Sequence, residues 1–418
     1  MAILYTIGIY LMGAIYHLAA FFLPKARAWQ DGRKQWRIHL KEALATWSPE
    51  DYRIWIHCAS LGEFEQGRPL IEKMKQEHPE TRILLSFFSP SGYTIRKDYA
   101  HADFVMYLPL DLPGNARDFL QMVQPDLGVF VKYEFWWHYI AHAQKAGIPL
   151  VLIAGLFRPK QYFFQLYGSW FRRQLASFSH FYVQNEPAAL LLQEANISAV
   201  SVVGDPRVDR VLQIAEQVPS FPKIEQWRAN RPTLVVGSSW PPDEEVLFPL
   251  LAETLPEDWC VILAPHDISI RHIQQIEQSL PLSFEKYSGW TNTDPSGSRV
   301  LIIDNIGMLA ALYQYGRIAY IGGGFGAGIH NTLEPMAFGL PVIFGPRYER
   351  FEEARRTVVQ GGNYSIEDAT ELKRVFIALQ EPELYQKSRA VVEDYLQGSR
   401  DATQKIYRSL QSRQFLPK

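Results

Sequence analysis

Past the end of an apolar run, and ahead of helical periodicity, the segment HCASLGEFEQGRP at residues 57–69 sets Glu63 directly after a glycine turn. A carboxylate in that place can take a proton from an incoming hydroxyl. It would also repel a phosphate, so the turn reads as the seat of a general base and not as a phosphate loop. Ser60 and Gly62 share the turn and are further candidates for substrate contact. The same letters, Ser60-Leu61-Gly62-Glu63, also spell a capping box, in which the glutamate only satisfies a backbone donor. Spacing leaves both roles open.

A second constellation, IGGGFGAGIHNTLEPMAFGLPVIFGP, runs from Ile321 to Pro346. A strand-like RIAYI leads into Gly322, Gly323, Gly324, Gly326 and Gly328, and a helix is expected to open at His330-Asn331. Glycines let backbone N–H groups close on an anion and a helix N-terminus adds a favourable dipole, so a phosphate or carboxylate is expected here. The spacing fits neither a Walker loop nor a G-x-G-x-x-G fingerprint. Glu334, third after Asn331, reads either as the acid of a second capping box or as a ribose ligand. Nearby strand ends contribute Pro265-His266 in LAPHD and Ser238-Ser239 in VGSSWPPDEE. His266 is either a nucleotide contact or a satisfied loop residue. In the first half, Glu134 in VKYEFWWHY and Arg207 in VVGDPRVDR stand just past strand ends, the latter with a plain surface arginine as the competing reading.

The elements that must hold these residues follow from size and pattern. At 418 residues and 47% hydrophobic, the chain exceeds the roughly 250 to 300 residues one core supports, so two domains are expected. Apolar runs alternate with amphipathic helical stretches, first in YRIWIHCAS, TRILLSFFS, DLGVFVKYE, IPLVLIAGL and HFYVQN, then in TLVVGSSW, WCVILAPHD, RVLIIDN, RIAYIGGG and LPVIFGP. That alternation predicts an α/β fold of two doubly wound parallel sheets facing across a cleft. The expected limits are an anchor with basic flank at 1–35, an N-terminal Rossmann-like domain at 36–218, a C-terminal one at 219–384, and a closing helix at 385–418.

Ile3 to Leu23 carries no charged residue and is followed by Lys25, Arg27, Arg33, Lys34 and Arg37. It reads as a membrane segment, spanning or lying in the interface, with the basic cluster on the cytoplasmic side. Arg158, Lys160, Arg172 and Arg173, mixed with aromatics and no acid between residues 156 and 178, suit either an anionic membrane surface or an amphipathic core helix. A net charge of -2 argues against a nucleic-acid partner. The two cysteines, Cys58 and Cys260, show neither metal-ligand spacing nor a disulfide framework, as in a reduced, cytoplasm-facing protein.

Together the motifs resemble one family, the membrane-associated 3-deoxy-D-manno-octulosonic acid (Kdo) transferases that add Kdo to a lipid A precursor. In chain order the resemblance rests on the N-terminal apolar segment, HCASLGE with RPLI soon after, YEFW followed by GDPRVD, and GGG...HNTLEPMAFGLPVIFGP. It implies a GT-B glycosyltransferase with an inverting, metal-independent mechanism, no cofactor, and CMP-Kdo as donor. The absence of any D-x-D pair agrees with that. By position it implies Glu63 as the base for a glucosamine hydroxyl, and Glu134 with Arg207 as the pair that supports the transition state. For CMP it implies Pro265, His266, Ile306, Gly307, Met308, Asn331, Thr332, Leu333 and Glu334. Ser238, Ser239, Gly323, Gly324 and His330 are further candidates around the same donor. The family usually carries lysine where Arg207 stands, which keeps the charge but changes the hydrogen-bond geometry. The implied partners are CMP-Kdo, a lipid A precursor and an anionic membrane surface, at the inner membrane with the catalytic domains facing the cytoplasm; the oligomeric state is unknown. Two other readings stay open: a GT-B transferase using another nucleotide sugar, and a non-catalytic membrane-bound nucleotide-binding scaffold.

Overall fold

The computed structural model describes residues 1–290 and 297–417. Contacts divide the chain into two units, one formed by Met1–Asp209 with Ser399–Lys418 and the other by Arg210–Gly398. In unit 1 the strands are β1 (Arg53–Cys58), β2 (Arg82–Phe87), β3 (Phe104–Tyr107), β4 (Leu127–Val131), β5 (Leu150–Gly155), β6 (His180–Val183) and β7 (Val200–Val202). They pair in parallel in the order β3-β2-β1-β4-β5-β6-β7. Unit 2 holds β8 (Thr233–Ser239), β9 (Cys260–Pro265), β10 (Phe284–Lys286), β11 (Val300–Ile302), β12 (Ile318–Ile321), β13 (Val342–Phe344) and β14 (Tyr364–Ser365). These too are parallel, in the order β10-β11-β9-β8-β12-β13-β14.

Helices cover both faces of such a sheet, so its strands must be apolar throughout. Along β1, Trp55 points into one core with Leu84 and Phe130, while Ile54, Ile56 and Cys58 point into the other with Ile83 and Val129. The strand order reverses between β1 and β4 in unit 1 and between β8 and β12 in unit 2. Those switch points are where an open α/β sheet leaves room for a ligand beyond its carboxyl ends.

Four strands escape the apolar pattern: β3, β7, β10 and β14 are the edge strands of the two sheets, and β7, β10 and β14 hold no fully buried residue, so they lack the apolar run that marks the central strands. The stretch expected as one closing helix is two, Pro382–Ser399 and Ala402–Ser412, broken where Asp401 takes a left-handed φ of 62°. The second helix returns to unit 1, where Ile406, Tyr407 and Leu410 complete the core behind β1. Gly204, with φ at 94°, admits that return, because a Cβ there would lie 2.6 Å from the Ser399 Cα.

Helix α1 (Ala2–Ala19) is long and apolar enough to cross a membrane, yet one face of it is docked. The Tyr5 hydroxyl donates to Asp111 Oδ2 at 2.6 Å, and Thr6 Oγ1 lies 2.9 Å from His138 Nε2. Tyr16 stacks on Trp29 with centroids 4.3 Å apart, and Gly13 permits close approach, since a Cβ there would sit 2.9 Å from Leu110 Cδ1. On the opposite face Leu4, Ile7, Leu11, Ile15, Leu18 and Phe22 form an exposed apolar stripe at helical spacing.

The basic flank does not stand as a free cationic cluster. Trp29 belongs to α2 (Pro24–Asp31), which α1 packs against. Arg33 donates to the carbonyls of Trp29, Phe88 and Leu108 at 2.9, 2.7 and 2.9 Å, under the rings of Trp29, Phe88 and Tyr107. Burial pulls its pKa down to about 9, so it remains a cation at neutral pH. Lys34 pairs with Asp31, and Arg37, in α3 (Trp36–Leu44), pairs with Asp118. A sequence pattern counts these charges without showing which are spent inside the fold.

Asp111 is the buried end of the α1 contact. It also accepts from the backbone N–H groups of His138 and Tyr139, each at 3.1 Å, and burial raises its pKa to about 6 against those favourable bonds. Because the folded value lies above the unfolded one, this group favours folding below about pH 4 and opposes it increasingly as pH rises through about 6. His138, whose pKa burial lowers to about 4, contributes the opposite slope. Comparing the parent with Asp111→Asn cancels that background. Relative to the variant, the parent is expected to lose on the order of 3 kcal/mol between pH 4 and 7, read from denaturant melts.

Candidate active site

In unit 1, Glu63 lies in the first turn of α4 (Leu61–Glu77), immediately beyond β1, and Glu134 lies beyond β4, so the two acids flank the switch point. The capping-box geometry is absent. Ser60 is the N-cap but its side chain accepts no backbone bond; its hydroxyl donates instead to Glu63 Oε2. Gly62 is exposed and meets nothing closer than that hydroxyl, so the turn leaves the carboxylate accessible. The charges of Glu63, Glu134 and Glu65 converge on Cys58, and they reinforce the burial that holds its thiol well above the ordinary value.

Glu134 Oε2 lies 3.5 Å from Nε2 of fully buried His57. The surrounding donors assign that ring. The Trp136 indole N–H donates to His57 Nε2 at 3.1 Å, which leaves the proton on Nδ1, donated to Ser86 Oγ at 2.9 Å. Ser86 Oγ also accepts from Trp55 Nε1 at 2.8 Å and donates to the Ile56 carbonyl at 3.3 Å. Every polar atom of this buried chain is satisfied, which makes a rigid floor under Glu134.

Arg207 opens the helix Pro206–Glu216 beyond β7, and Asp205 grips it. Its Nε and Nη2 donate to Asp205 Oδ2 at 3.0 and 2.6 Å, and its backbone N–H donates to Oδ1 at 3.0 Å. Asp205 is 2% exposed. Burial pushes its carboxyl up, but the guanidinium overcomes this and holds it below the usual carboxylate range. The arginine expected to meet a substrate is therefore oriented by an acid two residues earlier, a partner that local sequence does not announce.

In unit 2 the glycine loop differs from the expected anion cradle. Gly322 N–H goes to the Gly237 carbonyl at 2.9 Å, and the N–H groups of Gly326 and Gly328 go to the Gly323 carbonyl at 2.9 and 3.1 Å. Gly323, with φ at 91°, donates to Asp243 Oδ2 at 2.8 Å. A carboxylate of the fold itself holds that donor, with Tyr320 on its other oxygen at 3.0 Å. Close packing explains Gly322 and Gly324, whose Cβ atoms would fall 2.3 Å from the Ser238 carbonyl oxygen and 2.6 Å from the Gly345 backbone. Glycine spacing reports the need for close approach without saying what consumes the donors.

The remaining candidates divide by exposure. Ser239 is fully buried, with its hydroxyl on Glu244 Oε1 at 2.9 Å, whereas Ser238, with φ at 55°, is half-buried. Pro265, Thr332 and Leu333 are buried, so their side chains pack. His266 is exposed, Ile306 is 86% exposed, and Gly307, with φ at 97°, faces open space ahead of half-buried Met308. Asn331 Oδ1 accepts from Leu333 N–H at 3.1 Å while its amide donates to Glu334 Oε1 at 3.0 Å, a side-chain pair in place of the expected second capping box. The helix that follows is only Leu333–Ala337.

One unforeseen residue organises this surface. Trp240 stacks on His266 with centroids 4.4 Å apart, and His266 stacks on His330 at 4.5 Å. The indole N–H donates to His330 Nε2 at 3.1 Å, leaving the His330 proton on Nδ1. Burial, then the neighbouring His266, lowers the His330 pKa to about 4. The result is a neutral donor beside a flat aromatic face. The residue pair Ser239-Trp240 at the end of β8 is the local signal, since a tryptophan at a switch point has a strand end to hold it.

Residues 33–210 match the family model described as 3-Deoxy-D-manno-octulosonic-acid transferase (kdotransferase). The 3-deoxy-D-manno-octulosonic acid transferase of Chlamydophila psittaci is 27% identical over 351 residues, 79% of this chain and 78% of that protein. The protein of the same name from Haemophilus influenzae is 26% identical over 333 residues, 75% of each chain. That of Aquifex aeolicus is 26% identical over 357 residues, 83% of this chain and 93% of the relative. Among solved structures, UDP-GlcNAc 2-epimerase from Neisseria meningitidis bound to UDP-GlcNAc is similar at a TM-score of 0.59 and 16% identity, over 86% of this chain and 100% of that one. CalG4, the calicheamicin glycosyltransferase, is similar at 0.51 and 14%, over 86% and 98%. These two likenesses show the GT-B type of fold, two Rossmann-like units in one chain, and say nothing of the chemistry.

Proposed function

We propose that this chain is a 3-deoxy-D-manno-octulosonic acid (Kdo) transferase that moves Kdo from CMP-Kdo to a lipid A precursor, with inversion at the anomeric carbon and without a metal ion, a reading supported by its similarity to proteins of that name. The observation that carries the reading is Glu63: an accessible carboxylate beyond β1 at the switch point, with one oxygen held by Ser60. Its other oxygen accepts the proton of a glucosamine hydroxyl. As that hydroxyl oxygen bonds to the anomeric carbon, the bond from this carbon to the phosphate breaks and its electron pair leaves with CMP. Arg207, oriented by Asp205, meets the negative charge growing on the phosphate. Glu134 supplies negative charge beside a sugar whose transition state gains positive character. The stack of Trp240, His266 and His330 offers a flat face to the cytosine and a neutral N–H donor.

The same proposal places the enzyme at the cytoplasmic face of the inner membrane, with α1 lying in the interface. Its docked face is tied to Asp111, His138 and Trp29, so the outer stripe is the face turned to the bilayer. The 156–178 segment divides accordingly: Phe157, Phe163 and Phe178 enter the core, while Leu166 and Tyr167 stay exposed beside Trp170, which packs against Tyr5 of α1.

Incubating the protein in detergent with CMP-Kdo and a tetra-acylated glucosamine disaccharide bisphosphate is expected to release CMP and yield a Kdo-bearing lipid. NMR should show an anomeric configuration opposite to that of the donor, and EDTA should leave the rate unchanged. Turnover of UDP-sugars with none of CMP-Kdo would overturn the donor assignment. A rate lost in EDTA and restored by Mg²⁺ would overturn the metal-free mechanism.

A further inference from the structure

Beside α1, opposite its contact with Leu110, lies a groove of about 490 Å³. Its walls are Ile15, Tyr16 and Ala19 of α1, Leu23 at the entry to α2, Trp29 of α2, and Phe88 in the turn after β2. Those walls are braced. Arg33 donates to the carbonyls of both Trp29 and Phe88 and lies 4.0 and 5.0 Å from the centroids of their rings, so one buried cation locks α2 to the turn. Ile15 and Leu23 are at the same time among the exposed apolar residues, which makes the groove continuous with the surface that α1 presents to lipid. Lys25 lines it too, and is exposed.

The inner wall reaches the candidate site. Phe88 stacks on Trp136 with centroids 4.8 Å apart, and Trp136 holds the His57 ring under Glu134. Ser89, also in the wall, donates its N–H to the Ala59 carbonyl at 2.7 Å, next to the Ser60 that fixes Glu63. A groove of equal volume on the other flank of α1 shares Trp29 and is also lined by Arg33, Gln30, Lys34 and Asn115, but neither Phe88 nor Ser89 is in its walls.

We propose that the groove between α1, α2 and the Phe88–Pro90 turn binds one acyl chain of the acceptor lipid and so brings its head group to Glu63. This rests on the lipid-acceptor reading above. Lys25 gives the groove a cation for a phosphate on that head group, and the apolar walls give it no use for a free sugar. The acceptor is selected by its chain as well as by its hydroxyl.

The test uses the full-length protein in non-ionic detergent with a tetra-acylated glucosamine disaccharide bisphosphate that carries a diazirine at the end of one acyl chain. Photolysis is expected to label Tyr16, Ala19 or Trp29 together with the Phe88–Pro90 turn. The unlabelled acylated disaccharide should compete, and neither its deacylated form nor phosphatidylglycerol should. Ala19→Trp, which fills the groove, is expected to abolish that label and raise KM for the acylated acceptor about tenfold, with the melting temperature and the rate on the deacylated acceptor unchanged. Labelling of the parent confined to the outer stripe of Leu11, Leu18 and Phe22, or competed equally by phosphatidylglycerol, would overturn the proposal as mere bilayer contact. Competed labelling in the groove of a protein that shows no transfer from CMP-Kdo would sustain the lipid site and sink the donor reading alone.

Discussion

Replacing Glu63 by glutamine is expected to lower turnover by about 100-fold or more and to leave the melting temperature where it was. The amide oxygen can still accept the Ser60 hydroxyl, so the turn keeps its one side-chain bond, but the side chain can no longer take a proton. Rate and melting curve measured on the same samples separate the two roles. A fall in rate alone identifies the base. If the rate survives, the chemistry moves to Glu134, because Glu65, the other acid nearby, is already held by Arg96 at 2.7 Å and faces Arg68 at 3.7 Å.

Arg207→Ala is expected to cost about 3 to 5 kcal/mol of stability in addition to activity, because it leaves a buried carboxylate with no guanidinium. Asp205 is 2% exposed and keeps its ionised form through that partner. Since its folded pKa lies below the unfolded value of about 3.9, the stabilisation is complete above that value and fades as pH falls through the depressed one. Lysine in place of Arg207 preserves the charge but not the two-point grip, so Arg207→Lys should fall between the parent and the alanine variant. Adding Asp205→Asn to Arg207→Ala removes the stranded charge, and denaturant melts should show most of the lost stability restored while turnover stays low. Recovery of both would mean that the arginine serves the fold and not the reaction.

The parallel sheets were legible because their strands are apolar on both sides, a pattern that needs no knowledge of distant partners. β1, β4, β8 and β12, which frame the switch points, all belong to that class. The short edge strands carry too little pattern to be seen. At the site, sequence located Glu63, Glu134 and Arg207 at strand exits but could not show what each one touches. Asp205 on Arg207, Asp243 in the glycine loop and Trp240 across two histidines are contacts made by the turns of the backbone. Arg33 is the extreme case: read as one basic residue in a membrane flank, it is instead buried among three aromatic rings contributed by α2 and by the exits of β2 and β3.

The crossing of the chain at residues 209–210 and its return at 398–399 also set an order of assembly. Unit 2 is one uninterrupted stretch and can close as soon as it has left the ribosome. Unit 1, though begun first, waits: the Tyr407 hydroxyl that meets His78, the Ser409 hydroxyl that meets Tyr182 and the Phe415 carbonyl that meets Tyr52 are made only after the whole of unit 2. Until they arrive, the core behind β1 lacks Ile406 and Leu410, and the strand that presents Glu63 has one uncovered side. Domains made in sequence ordinarily fold in sequence. Here unit 1, begun first, matures last, so a nascent chain truncated before Ala402 would hold a finished unit 2 and an unfinished unit 1.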